Sequence, residues 1–233
     1  MEQRRVLRAG LCLWGLALPL CAAPSTENKT VRLRAVGIEL ARISPMTVKV
    51  MATEVDRLLA VAGARVEWRW AAPGTETAPD ELCVVFLDSP GRGSAAEQPV
   101  LGTTATGGSG SPPLIWISWP NVVHTLGFRD DSPLDTFFVK RSLGVALGRV
   151  VAHELVHALA PEVPHGSGLM AAGILPVALR RPRLALDEES AARFSAAARS
   201  WQRWGGPPPQ ADRQARARPA GARPADAGMA TLP

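Results

Sequence analysis

Apolar and charged positions alternate from residue 31 to 38, with Val31, Leu33 and Ala35 on one side and Arg32 and Arg34 on the other. A period of two predicts a strand with one wetter face. Ser44-Pro45 then offers a helix cap followed by proline at the first helical position. Val48, Met51, Val55, Leu58, Leu59 and Ala62 keep helical spacing up to Gly63, which suits the left-handed residue that closes a helix. Residues 65 to 70 alternate again, with Val66, Trp68 and Trp70 facing one way. A Pro-, Gly- and Thr-containing loop follows, and Leu82 to Leu87 is unbroken apolar sequence, as expected of a strand covered on both faces. Strand, helix, strand, strand in this order predicts a βαβ unit with a right-handed crossover, and so an α/β fold.

Past a Gly- and Ser-rich stretch at 89–98, Leu114 to Ser118 reads as a short strand and residues 119–127 as a helix with Pro120 in its first turn. His124 falls in that helix and is read as an ordinary core or surface histidine. Ser132-Pro133 predicts the cap and first residue of a long helix, with Asp135 near its positive end. Leu143, Ala146, Leu147, Val150, Val151, Leu155 and Leu159 carry the helical stripe, and Pro161 disfavours helical geometry at Ala160, where the helix should stop. Gly144 and Gly148 lie inside it. Each costs roughly 1 kcal/mol against alanine, so close packing, here expected against the sheet, must compensate. Lys140, Arg141 and Arg149 argue against a membrane helix-pairing face. A last helix opens at Asp187 and runs to about Trp204, with Glu188 and Glu189 favouring its N-terminal turn.

The ends of the 233-residue chain change the picture of its charge and cysteines. Residues 1–23 read as a signal peptide: Arg4, Arg5 and Arg8, a short apolar run, then Cys21-Ala22-Ala23. The run is too short for a stable membrane span, and export to the periplasm or the exterior is expected. Lipid anchoring at Cys21 is the rival, disfavoured because Leu20 occupies a position that wants a small residue. Without the leader Cys83 is alone, so no internal disulfide is available, and its apolar surroundings mark it as a small buried hydrophobe. From Gly205 to Pro233 the chain is Pro, Ala, Gly and Arg and is expected to be disordered. Leader and tail each carry a net +2 of the formal +5, which leaves +1 on residues 24–204 and argues against a nucleic-acid surface there. Those residues make one domain.

The chemistry concentrates in one stretch. His153, Glu154 and His157 spell H-E-x-x-H, and on a helix positions i and i+4 share a face, so two imidazoles can address one ion with a carboxylate beside them. His165 follows eight residues after His157. Three of the chain's four histidines thus fall within thirteen residues, against which the alternative is a buried helix with chance histidines.

The segment 153–170 resembles the zincin metallopeptidases, on the metzincin side, in which a third histidine and a methionine-bearing turn follow the helix. Metzincins commonly place that histidine two residues earlier. The spacing here resembles a largely uncharacterised group of secreted bacterial proteins with H-E-x-x-H, seven residues, histidine, and an Ile- or Leu-Met pair. The resemblance implies a zincin-like fold, with a mixed, mostly parallel twisted sheet, an edge strand over the cleft, a backing helix, a long active-site helix and a C-terminal helix after a Met-turn. It implies Zn²⁺ held by His153, His157 and His165, Glu154 as the base that activates a zinc-bound water, and Met170 as the turn methionine. Val100 to Thr106 takes the place of the edge strand that pairs with peptide substrates, with Gly102, Thr103 and Thr104 as substrate-binding residues. The implied activity is a secreted zinc endopeptidase, expected as a monomer acting on peptides or proteins. Val156 and Pro161 depart from the group's glycines, and the absence of tyrosine removes a residue metzincins often use near the Met-turn. Two alternatives stand beside this reading. One is a zinc-binding module without turnover. The other is a gluzincin arrangement in which Glu188 or Glu189 supplies the third ligand.

Overall fold

The computed structural model describes residues 30–90, 99–105, 111–129, 132–172 and 176–207. The leader, the 91–98 and 106–110 segments, and the tail beyond 207 lie outside the described residues.

Five strands, β1 (Val31–Glu39), β2 (Ala64–Ala71), β3 (Glu81–Leu87), β4 (Gly102–Ala105) and β5 (Leu114–Ser118), form one sheet in the order β2-β1-β3-β5-β4. The first four in that order are parallel, and only β4, at the edge, runs antiparallel to β5. Helix α1 (Pro45–Leu59) connects β1 to β2, as the alternation of periods predicts. Ser44 Oγ accepts from the Thr47 amide at 3.2 Å, and Gly63 closes the following 3₁₀ turn at φ +65°.

The remaining helices are α2 (Trp119–Thr125), α3 (Phe137–Leu159), α4 (Pro176–Arg180) and α5 (Glu188–Trp204). The main core takes the inward residues of the strands, including Leu33, Val66, Leu82, Phe86, Ile115 and Ile117, together with the apolar stripes of α1, α3 and α5. A second, small apolar cluster holds only strand residues, chiefly Val36, Ile38 and Cys83. Leu82–Leu87 is therefore covered by helices on one face and not on both as its unbroken apolar run suggests. On the other face charge pairs pave the sheet: Arg34 and Arg69 both reach buried Glu81, at 3.2 and 2.8 Å. The hydrogen bond from Arg69 leads in holding the Glu81 carboxyl down to about 2, against the opposing effect of its burial. Cys83 is buried and free, and burial pushes its thiol up, away from reactivity.

Helix α3 corrects two expectations. It begins at Phe137 and is capped by Thr136, not by Ser132. The Ser132 hydroxyl instead accepts from the Arg129 amide at 2.8 Å, closing a turn, and Asp135 lies outside the helix and pairs with Lys140. The glycines of α3 face α1, not the sheet. A Cβ on Gly144 would lie 2.6 Å from Val50 Cβ and 2.7 Å from the Thr47 carbonyl, and one on Gly148 would lie 2.8 Å from the Met51 carbonyl. The two helices thus cross close enough that backbone touches backbone, and the helix-propensity cost of glycine is offset by that contact.

Beside this crossing lies a buried ionic cluster. Arg149, 3% exposed, donates Nε to Glu54 Oε1 at 2.9 Å and Nη1 to the carbonyls of Ala178 and Leu179. Arg57 holds the other Glu54 oxygen at 2.6 Å and donates to the Leu184 carbonyl. Burial pushes the Glu54 carboxyl up, but the two arginines more than offset it, so the net shift is downward. The cluster ties α1, α3 and the 178–184 segment together. No described helix is long and apolar enough to cross a membrane.

Candidate metal centre

Helix α3 carries His153, Glu154 and His157 into the floor of a cleft of about 890 Å³. The buried stripe that packs α3 on the sheet and on α1 sets its rotation, so His153 (7% exposed) and Glu154 (8%) are held by core packing. The helix ends at Leu159 with Ala160 as its cap. Ala160 takes φ −129°, Pro161 and Glu162 make a turn, the Val163 amide returns to the Ala160 carbonyl at 3.0 Å, and Val163 is buried. Proline thus ends the helix without a left-handed residue, and the chain still brings His165 back to the other two rings.

His157 Nε2 and His165 Nε2 are 3.1 Å apart, and one nitrogen from each of the three rings lies within 4.8 Å of the others. Two nitrogens bound about 2.0–2.1 Å from a tetrahedral ion sit roughly 3.3–3.4 Å from each other, so small ring shifts bring this set around a zinc-sized ion. His153 Nδ1 lies 2.8 Å from the Leu169 carbonyl. A carbonyl can only accept, so Nδ1 carries the proton and Nε2 keeps its lone pair for an ion. The donor set therefore fits a metal.

The turn after His165 supplies that carbonyl. Gly168 to Met170 form a 3₁₀ turn, the Gly166 amide donates to the Met170 carbonyl at 2.7 Å, and the Leu169 amide is anchored on the Ala185 carbonyl at 2.9 Å. Gly168 has φ +61°, and a Cβ there would stand 2.6 Å from the Ala185 carbonyl oxygen, so only glycine fits. Met170 is fully buried. Burial lowers the affinity of His153 and His157 for protons, to about 4 for His157, with the neighbouring histidines adding to it. Protons and metals compete for the same lone pairs, so imidazoles that stay neutral are ready to coordinate at neutral pH.

The edge strand β4 lies over α3. Thr104 Oγ1 donates to Glu154 Oε2 at 2.8 Å and sits 3.1 Å from the Glu154 carbonyl. A Cβ on Gly102 would fall 2.8 Å from Glu154 Cγ. Gly102 and Thr104 share a strand face, so one makes room for the carboxylate and the other holds it, while Thr103 points away and is exposed. Burial pushes the Glu154 carboxyl up, and the Thr104 hydrogen bond opposes this. The strand is shorter than the 100–106 stretch read from the sequence; Thr106 lies outside the described residues.

Glu188 and Glu189 do not join the cluster. Both are exposed on α5, and Glu189 is bonded to Arg193, so the gluzincin arrangement is not what the chain adopts. The sequence reading missed part of the cleft wall. His124, read as an ordinary histidine, is exposed and lines the cleft with Thr125, although it stands apart from the three-histidine group. Pro176 of α4 lines it too. The apolar stripe of α2 was visible, but which way its C-terminal end opens depends on packing that a stripe does not record.

No family model matches the chain, and no curated protein matches it. Among solved structures it is similar to archaemetzincin from Methanopyrus kandleri, with a TM-score of 0.50 over 72% of this chain and 97% of that one, at 10% identity. The likeness is one of fold: a mixed α/β, zincin-like arrangement of the kind found in zinc metallopeptidases, with a three-histidine group able to hold a metal.

Proposed function

We propose that the chain is a zinc-dependent endopeptidase exported by the leader at residues 1–23. One observation carries this reading: three imidazoles from α3 and the loop beyond it converge on the floor of an open cleft, next to a buried carboxylate. His153, His157 and His165 would hold zinc, with His153 oriented through Leu169 and the Met170 turn packed beneath. Bound there, zinc would lower the pKa of a coordinated water to about 7 and polarise a substrate carbonyl. Glu154 accepts the proton of the attacking water and returns it to the leaving amine. The outer edge of β4, which pairs with β5 alone, would offer the outward backbone N–H and C=O groups of Gly102 and Thr104 to an extended peptide, while the backbone of Thr103 between them is turned toward β5.

Metal analysis of the purified protein with a casein or peptide-library assay tests the reading. We expect one zinc per chain and hydrolysis that a chelator abolishes and Zn²⁺ restores. Protein without zinc refutes the metal centre. Zinc without chelator-sensitive hydrolysis identifies a binding module instead.

The Met170 turn yields a sharper expectation. Gly168→Ala forces a side chain into a left-handed position against Ala185, which displaces the Leu169 carbonyl from His153. Loss of such an orienting partner weakens metal binding about 10–100-fold, measurable by competition with a chromogenic chelator. Gly166→Ala, which meets nothing within 4 Å, should bind as the parent does. Equal affinity for both variants would remove the orienting role of the turn.

A further inference from the structure

Beyond the histidine cleft, a second cavity of about 680 Å³ opens on the same side of α3 as the buried ionic cluster. Among the described residues, Arg57, Arg141, Arg149, Arg180 and Arg181 line it, and Glu54 is the one acidic residue. Five arginines against one carboxylate give the described lining a formal excess of four positive charges, beside +5 for the entire chain. The concentration is local and not a reflection of overall composition.

How those guanidiniums are used points to an absent anion. Arg149 is 3% exposed, yet its hydrogen bonds engage only Nε and Nη1, and Nη2 has no partner among the described residues. The Arg141 and Arg181 guanidiniums are exposed and make no side-chain hydrogen bond or ion pair among the described residues. Arg180 donates to the Leu126 carbonyl, which holds its guanidinium at the rim. A guanidinium presents a planar fork matched to a carboxylate or phosphate. Leu126, Phe128 and Phe138 add an apolar wall, and Phe138, 76% exposed, stands edge-to-face on Phe137 with ring centroids 5.5 Å apart, an exposed aromatic pair at the pocket rim.

The pocket also shares walls with the cleft. Thr125 lines the cleft and Leu126 the pocket; Pro176 lines the cleft and Arg180 the pocket; Val150 lines the cleft and Arg149 the pocket. We propose that this arginine-lined pocket is a docking site for an acidic peptide segment that carries an aromatic or large apolar residue beside its carboxylates. Assigning that segment to a substrate rests on the peptidase reading; the docking itself does not. Carboxylates engage Arg141, Arg181 and the free edge of Arg149, and the apolar residue covers Phe138. Attraction of this kind weakens as salt rises.

Fluorescence anisotropy with a labelled Glu-Glu-Phe-Glu-Glu peptide, on the full chain at low ionic strength, tests the proposal. We expect saturable binding that rising salt weakens, that the Lys-Lys-Phe-Lys-Lys counterpart lacks, and that Arg141→Glu/Arg181→Glu weakens about tenfold or more. Both arginines are exposed, so the double variant should keep its fold, checked by circular dichroism. Glu154→Gln should bind the peptide as the parent does, so docking stays measurable even if hydrolysis is never found. Unchanged affinity in the double variant overturns the site. Displacement of the peptide by an equal concentration of inorganic phosphate assigns the pocket to a small anion and overturns the peptide.

Discussion

Glu154→Gln is expected to keep the zinc content of the parent and to lower peptide hydrolysis about 10²–10⁴-fold, the range a positioned general base contributes. The substitution is nearly isosteric, and its effect separates holding the metal from moving the proton. Glutamine still accepts the Thr104 hydrogen bond, now made at 2.8 Å to Oε2, and still fits under Gly102, where there is no room for anything larger. It cannot take a proton at neutral pH. The three imidazoles are untouched, so metal content should not move. Full activity in the variant would show that the carboxylate is not the base. Loss of zinc along with activity would show that Glu154 shapes the histidine cluster and leave its role in proton transfer unsupported.

Glu54→Ala is expected to destabilise the fold by about 3–5 kcal/mol, the cost of leaving a buried charge without its partner. Among the described residues Glu54 is the only carboxylate paired with Arg149, which is buried between α1, α3 and the 178–184 segment. Arg57 is about half exposed and can turn to water when Glu54 is gone. Arg149 cannot. At roughly 2–4 °C per kcal/mol for a domain of this size, the midpoint of thermal unfolding should fall by about 6–20 °C. Glu54→Leu with Arg149→Met removes both charges from the interior and should recover much of the loss. A loss below about 1 kcal/mol for Glu54→Ala, by urea titration, would mean that water already reaches the pair.

These two residues also show what a sequence does and does not make legible. The three-histidine group could be read because its spacing is local: His153, Glu154 and His157 lie on one helical turn, and His165 follows within reach. Helix α1 could be read because Ser44 and Pro45 mark its start and Gly63 closes the 3₁₀ turn that follows it, each by its own backbone preference, and Asp187 marks the start of α5 in the same way. Glu54 was hidden for the opposite reason. It lies among Met51, Val55 and Leu58 on the buried side of α1, and a charged residue there looks like a solvent position until its partner, 95 residues away, is known. Gly144 and Gly148 announced a close approach but not its target, because a missing side chain says that something is near without saying what. The start of α3 was misplaced because Ser132-Pro133 and Thr136 are both competent caps, and the choice turned on a hydrogen bond from Arg129 that the pattern does not encode.

The contact between β4 and Glu154 has a further consequence. One threonine hydroxyl joins the sheet margin to the Glu154 carboxylate, and a glycine two residues away leaves just enough space for it. A guest chain that lies along this margin and straightens it must also tilt the carboxylate. On the proposed reading, occupancy and reactivity would therefore be mechanically linked, because a seated chain would reach Glu154 through the same strand that seats it.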